Sequence, residues 1–280
     1  QQLRCKERGC KKFNEALQFI ATRMSENQSL KVMRRIIDRS SVKSDIDVMI
    51  SCGIFTQEDN AVSFFHESYF DYAYARQWID SKQTICDFLE ATTQELFRRG
   101  QVRQMLALIH DEDPHRFIEE VRALLTNDKI KFHLQMVALA LLSELDKPSP
   151  EEARMVGALT QSQSEVSNHF WRYLNSPAWF KALYDQGHIS AWLVSKNDNL
   201  LNWTLKMCSA AITSHSPEII KLLQDNKVKI HSYDNVVKWL IRTARERWTA
   251  DFAEFVLAEI RRGLFSPGVV KNGHDLFAVL

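Results

Sequence analysis

Two short stretches contain side chains that could bind a metal ion. Residues 110–115 read His-Asp-Glu-Asp-Pro-His, so two imidazoles and three carboxylates fall within six residues and could hold a metal ion. Cys5 and Cys10 could form half of a zinc site, but no second Cys or His pair at ligand spacing completes the four ligands that structural zinc takes. We therefore expect no bound metal, and we interpret residues 110–115 as a polar turn between two helices.

Sequence motifs of nucleotide hydrolysis and nucleophilic catalysis are missing from the chain. It contains no Gly-x4-Gly-Lys-Ser/Thr phosphate loop and no Gly-x-Gly-x-x-Gly. It also contains no His-Glu-x-x-His, no Gly-x-Ser-x-Gly and no Cys with an identifiable His partner. We expect these 280 residues to have no enzymatic activity and no cofactor of their own.

Composition and charge limit the classes of partner. The chain is 45% hydrophobic, which suits one large or two modest folded domains, and its net charge of +1 gives no long-range attraction to nucleic acid or to an acidic membrane. The longest apolar run, Met136 to Leu142, is far shorter than the roughly 20 residues of a membrane span. An odd number of cysteines, five, favours a reducing, cytoplasmic setting. Because the first residue is Gln1, we expect a piece of a longer protein or a processed chain.

The first 80 residues have the pattern of a winged helix. Apolar residues at helical spacing predict three short helices, the third capped by Ser44 and ended at Gly53. A hairpin follows, with strands at 54–56 and 61–65 around a polar loop at 57–60, and then a helix with an aromatic face. The hairpin is the only β element that the sequence predicts.

Winged helices often bind DNA through their third helix and their wing. Here that helix offers Asp45 and Asp47, and the wing tip contains Glu58 and Asp59, so both would meet phosphates with the wrong sign. The basic residues of the second helix, among them Arg34, Arg35 and Arg39, read as a solvated face. We do not expect nucleic acid as a partner.

Residues 81–280 read as helix after helix, the first of them ending near Gly100. Ser149, Ser176 and Ser216 each precede a proline, which is typical of a helix start; phosphorylation of these serines is the alternative. Such a series predicts a degenerate HEAT-like α-solenoid or a helical bundle, a kind of domain that holds another macromolecule. Tryptophans concentrate in this region as core residues or as a partner-binding surface, and the candidates for that surface are Trp171, Trp179 and Trp192.

Residues 64–75 carry a more specific pattern. The sequence resembles the end of the winged-helix domain in STAND NTPases of the NACHT and NLR kind, whose pattern is roughly aromatic-x-His-x-Ser-Phe-x-Glu-Tyr/Phe-x-Ala-Ala. The matching positions are His66, Ser68, Tyr69, Asp71, Tyr72 and Ala75. The sequence departs from the pattern at Phe70, where the family often has Gln, and at Tyr74, where it often has Ala. The resemblance covers about residues 44–80.

The resemblance implies a role for His66. In that family the histidine at this position contacts the phosphate of ADP bound to a preceding nucleotide domain and holds the protein closed. These residues would then be the regulatory part of a signalling ATPase, such as a bacterial antiviral protein, with residues 1–80 as winged helix and 81–280 as sensor of a protein ligand. ATP or ADP with Mg would bind to the nucleotide domain, which would also drive oligomerisation. The alternatives are a free-standing α-solenoid adaptor without an NTPase, and an unrecognised helical hydrolase or metalloenzyme based on the His110 cluster.

Overall fold

A computed structural model describes residues 2–160 and 169–265. The chain forms two compact units, Gln1–Leu141 and Leu142–Leu280. The helices are α1 (Gln2–Glu7), α2 (Phe13–Asn27), α3 (Arg34–Ile37), α4 (Lys43–Ser51), α5 (Glu67–Ile79), α6 (Ile85–Glu90), α7 (Arg98–Glu112), α8 (Pro114–Thr126), α9 (Phe132–Ser143), α10 (Pro150–Leu159), α11 (Phe170–Tyr173), α12 (Pro177–Asp185), α13 (His188–Leu193), α14 (Asp198–Ala211), α15 (Ser216–Asp225), α16 (Tyr233–Thr243) and α17 (Ala250–Arg261). The strands are β1 (Val32–Met33), β2 (Phe55–Glu58) and β3 (Ala61–Phe64).

The fold class expected from the sequence is confirmed: the chain is mainly α, with a winged helix near its start. In that winged helix β2 and β3 form an antiparallel hairpin in which Phe55 pairs with Phe64. The hairpin loop is shorter than expected, because Gln57 and Glu58 belong to β2 and only two residues make the turn. Asp59, in that turn, has a φ of 49°, a left-handed conformation that Asp tolerates better than most residues.

A third strand, β1, completes the sheet in the order β1-β3-β2. Val32 pairs with Val62 in an antiparallel register, and both side chains lie in the core. With only two residues, β1 is too short to show the alternation that marks a strand in a sequence. For this reason β1 was not predicted from the sequence.

Helix α4 ends as predicted but begins differently. Gly53, with a φ of 74°, follows its last turn, and the amide of Ile54 donates to the carbonyl of Met49 at 3.0 Å. This is the left-handed end that glycine favours. The expectation that Ser44 caps the helix is wrong: Ser44 lies inside it, and the capping position, Val42, supplies no side-chain hydrogen bond.

Asp45 of α4 was expected on an outward, acidic face of the helix, but its side chain lies in the core. Asp45 is buried, and its Oδ1 accepts hydrogen bonds from the amides of Lys11 at 2.7 Å and Lys12 at 2.9 Å, at the start of α2. These amide bonds lower the pKa of Asp45. Its carboxylate therefore stabilises the start of α2 instead of facing outward. At the wing, Glu58 forms an ion pair of 2.9 Å with Lys31.

Packing of α5 on α7 joins the winged helix to the helices that follow it within the first unit. The Phe70 ring lies 5.5 Å from that of Phe97, just before α7. The expectation that a helix ends near Gly100 is wrong, since Gly100 lies in the first turn of α7. A Cβ at Gly100 would overlap the carboxylate of Asp71, so glycine here permits close approach of the two helices.

In the second unit, most helices pack on helices one or two places away in the chain. Ser149 and Ser176 cap α10 and α12 as predicted, accepting hydrogen bonds from the amides of Glu152 and Trp179. Ser216 does not cap: it is the first residue of α15, is buried, and its hydroxyl is bonded to that of Thr249 at 2.7 Å.

Along the chain, the two units found from packing meet at Leu141 and Leu142. The sequence instead divides the chain by type of element, into residues 1–80 and residues 81–280. That division remains a prediction. Over residues 2–160 and 169–265, every helix is too short or too polar to cross a bilayer.

Candidate functional site

His66 lies at the junction between the hairpin and α5. It occupies the N-cap of that helix in an extended conformation, with φ −148° and ψ 140°. Its Nδ1 accepts a hydrogen bond from the backbone amide of Ser68 at 3.2 Å and lies 2.7 Å from the hydroxyl of Ser68. An N-cap side chain that accepts from an otherwise unpaired amide of the first turn stabilises the helix. The structure therefore gives His66 a local role that needs no ligand.

The same hydrogen bond fixes which ring nitrogen of His66 can bind something else. A neutral imidazole has one donor and one acceptor nitrogen. Because Nδ1 accepts from the Ser68 amide, the hydrogen of the neutral ring must be on Nε2. His66 is exposed, and within the described part of the chain no residue accepts a hydrogen bond from Nε2. This N–H is available to an external acceptor, such as a phosphate oxygen.

Exposed aromatic residues flank His66 in the sequence, and the ring of Phe65 lies 6.4 Å from the imidazole. Phe65 is 46% exposed, Tyr69 42% and Tyr72 47%, and the rings of Phe65 and Tyr69 lie 4.8 Å apart. We name Phe65, His66, Tyr69 and Tyr72 the aromatic surface. Large aromatic side chains grouped on a surface mark interaction sites more often than scattered ones do. The opposite face of the same segment, with Phe64 and Phe70, is buried and anchors the aromatic surface to the core.

Asp71, at the acidic position of the motif, lies in the packed side of α5. It is 9% exposed and faces Gly100 of α7. Burial, with a smaller contribution from the charge of Glu67, raises the pKa of Asp71 to about 7. Its place is structural, between two helices and away from the aromatic surface. This contact could not be predicted from the sequence, because it depends on how two helices that are distant in the chain pack on each other.

The tryptophans expected at a partner surface have different surroundings. Trp179 is completely buried and its indole N–H donates to the carbonyl of Leu142 at 2.8 Å. Trp192 is 3% exposed and its ring lies 4.7 Å from that of Trp203. Burial removes Trp179 and Trp192 from the expected surface and places them in the core, the alternative that the sequence left open. Trp171 is partly exposed, and the Nζ of Lys206 lies 4.1 Å from its ring centroid.

Residues 110–115 lie where α7 meets α8, but the predicted polar turn is reduced to Asp113, since the other five residues are helical. Asp113 separates α7 from α8 and caps α8, its Oδ1 accepting from the amide of Arg116 at 3.0 Å, with Pro114 as the first helical residue. His110 is 3.6 Å from the carboxylate of Asp111, whereas His115 pairs with Glu119 at the same distance. Across residues 2–160 and 169–265, no three His, Cys, Asp or Glu side chains are grouped as metal ligands.

Cys5 and Cys10 lie in the core of the first unit, close to Cys52. Burial is the main cause that raises the pKa of Cys5 to about 12 and that of Cys10 to about 11. A carboxylate, Asp45, adds to the effect at Cys10. These thiols are therefore protonated near neutral pH and pack as small apolar groups.

Comparison of the chain with family models, with curated proteins and with solved structures found no match.

Proposed function

We propose that this chain is the regulatory and ligand-sensing part of a STAND-type signalling NTPase. The observation that carries the proposal is the arrangement at His66, whose Nδ1 is held by the start of α5 while its Nε2–H points to no protein acceptor in the described part of the chain. A donor held in this way can bind a phosphate oxygen without losing its helix cap. The sequence pattern of residues 64–75 supports the same role.

The aromatic surface also supports a contact with another domain. A histidine that reaches a nucleotide on another domain needs that domain to dock around it. Phe65, Tyr69 and Tyr72 offer large apolar area beside His66, and such rings contribute strongly to interfaces. We propose that this surface docks on a nucleotide domain outside the 280 residues, which binds ADP or ATP with Mg.

In the proposed mechanism, the helical region binds a foreign protein, in the cytoplasm, as part of an antiviral response. That binding displaces the winged helix, withdraws His66 from the ADP phosphate and lets the nucleotide domain oligomerise. Binding of the protein ligand and of ADP would thus be coupled through the two states of the protein. The 280 residues would supply the switch and the sensor but not the hydrolysis, since they contain no phosphate loop.

The reading frame that encodes this chain provides the first test. A nucleotide domain of this class requires a phosphate-loop motif and an acidic Mg-binding strand, encoded roughly 200 residues or more before Ile54. In the complete protein, His66→Ala should then oligomerise without ligand. His115→Ala is the matched control, because His115 is exposed and, among the residues that the structure describes, pairs only with Glu119. A His66→Ala protein that stays as quiet as wild type would contradict the relay.

A free-standing adaptor is the second candidate, and the aromatic surface favours it as well, because such a surface can dock on a protein that binds no nucleotide. The two functions differ in what the exposed Nε2–H of His66 does. In an adaptor, replacing His66 by Asn, which can also cap a helix, should leave partner binding intact. In the proposed NTPase the same replacement should weaken the retention of ADP.

A further inference from the structure

A recess of about 460 Å³ lies in the winged helix between α2 and α3. None of the residues that line it belongs to the aromatic surface. It is lined by Phe19 and Arg23 of α2, by Arg35 and Ile36 of α3, and by two residues of the turn that follows, Arg39 and Ser40. We name these residues the arginine recess. Its volume falls within the range of about 300–1,000 Å³ typical of small-molecule sites.

Two of the three arginines in the arginine recess lack an acidic partner. Arg35 and Arg39 form no hydrogen bond or ion pair with any described residue, while Arg23 pairs with Glu26 at 3.0 Å on an exposed helix face. Neighbouring basic residues are neutralised: Arg34 bonds to Asp38 and Asp47. The recess therefore keeps a net positive charge that its surroundings do not compensate.

The chemistry of the lining indicates the kind of ligand. Guanidinium groups match the oxygens of a phosphate with paired N–H donors. Phe19 and Ile36 are half-buried and give the recess an apolar side, on which the ring of Phe19 already lies 5.7 Å from the guanidinium of Arg23. The hydroxyl of Ser40 donates to the carbonyl of Ile37 at 2.7 Å and keeps its lone pairs free to accept.

We infer that the arginine recess binds a small phosphorylated molecule that carries an apolar or aromatic group. Arg35 and Arg39 bind the phosphate, with Arg23 at the side, and Phe19 and Ile36 pack against the apolar group. This site is separate from the contact proposed for His66, which involves a nucleotide held by another domain. A solvated basic face, expected from the sequence for Arg35 and Arg39, would show no preference for such a molecule.

Calorimetric titration of the 280-residue chain with phenyl phosphate, inorganic phosphate and pyrophosphate tests the inference. Phenyl phosphate should bind more tightly than inorganic phosphate, because only it can use the apolar side of the recess. Arg35→Gln and Arg39→Gln should each weaken phenyl phosphate and pyrophosphate roughly tenfold, the loss expected for one charge-assisted hydrogen bond. Both arginines are exposed, so both variants should fold.

Arg122→Gln is the matched control, because Arg122 is an exposed arginine of the same unit, outside the arginine recess. It removes the same charge and should leave both affinities unchanged. Phe19→Leu, which keeps an apolar side chain, should weaken phenyl phosphate while sparing pyrophosphate. Equal losses in the Arg122 and Arg35 variants, or no binding of any probe by wild type, would overturn the inference. Neither result bears on His66, whose test is ADP retention in the complete protein.

Discussion

Replacement of Asp71 by Asn tests the packing between α5 and α7. The Asp71 carboxyl is 9% exposed and lies against Gly100, and its pKa is raised from the ordinary 3.8 to about 7, chiefly by burial. The folded protein therefore keeps a proton on Asp71 at pH values where the unfolded chain has lost it. Asn has nearly the shape of a protonated Asp but cannot ionise, so the variant removes the cost of charging this site.

The size and the sign of the effect follow from linkage between protonation and folding. The rise in the pKa of Asp71 from 3.8 to about 7 corresponds to at most about 4 kcal/mol. At about pH 3 and below both states are protonated and the penalty is absent; it grows as the pH rises to about 7 and is constant above that. The Asn variant should thus match wild type at about pH 3 and be more stable by roughly 2–4 kcal/mol at about pH 8.

Hydrogen exchange of peptides from α5 and α7 measures the free energy of opening of these two helices. A local measurement is needed because a chain with two compact units need not unfold in one step. Exchange is compared between wild type and variant at the same pH, so that other titrating groups cancel. Asp80→Asn is the control: Asp80 is exposed at the end of α5, and its loss should shift stability little at either pH. A difference between wild type and Asp71→Asn that does not change with pH would show that ionisation of Asp71 does not destabilise the packing of α5 on α7.

Three further substitutions test the packing and the caps. Gly100→Ala should destabilise the first unit by about 1–2 kcal/mol, since the overlap with Asp71 outweighs the better helix propensity of Ala; Asp71→Ala in the same chain should recover most of the loss in urea denaturation. Trp179→Phe should cost the second unit about 1–3 kcal/mol in the same assay, because the carbonyl of Leu142 loses the indole donor and keeps only the longer bond from the Leu145 amide within the described residues. Ser149→Ala should cost about 1 kcal/mol through loss of the α10 cap.

Controls for these substitutions come from the same chain. Trp239→Phe removes an indole from a partly exposed site and should cost less than Trp179→Phe. Ser81→Ala should be neutral or stabilising, because the buried Ser81 hydroxyl has no hydrogen-bond partner in the described structure. A Trp179 or Ser149 variant as stable as its control would contradict the hydrogen bond assigned to it.

Local signals in the sequence predicted the winged helix well. Two short apolar runs flank the polar turn of the hairpin, and Gly53 supplies the left-handed conformation that ends α4. Ser149 and Ser176 precede prolines and cap their helices, as such dipeptides commonly do. These features depend on residues a few positions apart, so a sequence contains them completely.

Contacts between distant residues account for what the sequence did not predict. Glycine often ends a helix, but Gly100 lies within one, where it makes room for Asp71 of another helix. Ser216 has the same Ser-Pro signature as the two capping serines, yet Thr249 takes its hydroxyl. Core packing is the usual role of tryptophans such as Trp179, but only the neighbours of Trp179 decide between core and surface.

The candidate site was predicted in part. The sequence singles out His66 and its resemblance to a known motif, and the structure adds the hydrogen bond that leaves Nε2 as the donor. The aromatic surface was not foreseen, because the same helical period that buries Phe70 exposes Tyr69 and Tyr72, and the sequence alone does not say which rings face the core.

The nucleotide content of the complete protein shows whether His66 holds ADP. The protein is produced from its complete reading frame, without ligand, and the nucleotide that purifies with it is quantified for wild type, His66→Ala and His115→Ala. The proposed function predicts near-stoichiometric ADP in wild type and in the His115 variant, and a clear loss of ADP in the His66 variant. A wild-type protein that carries no nucleotide, or a His66 variant that retains ADP as well as wild type does, would contradict it.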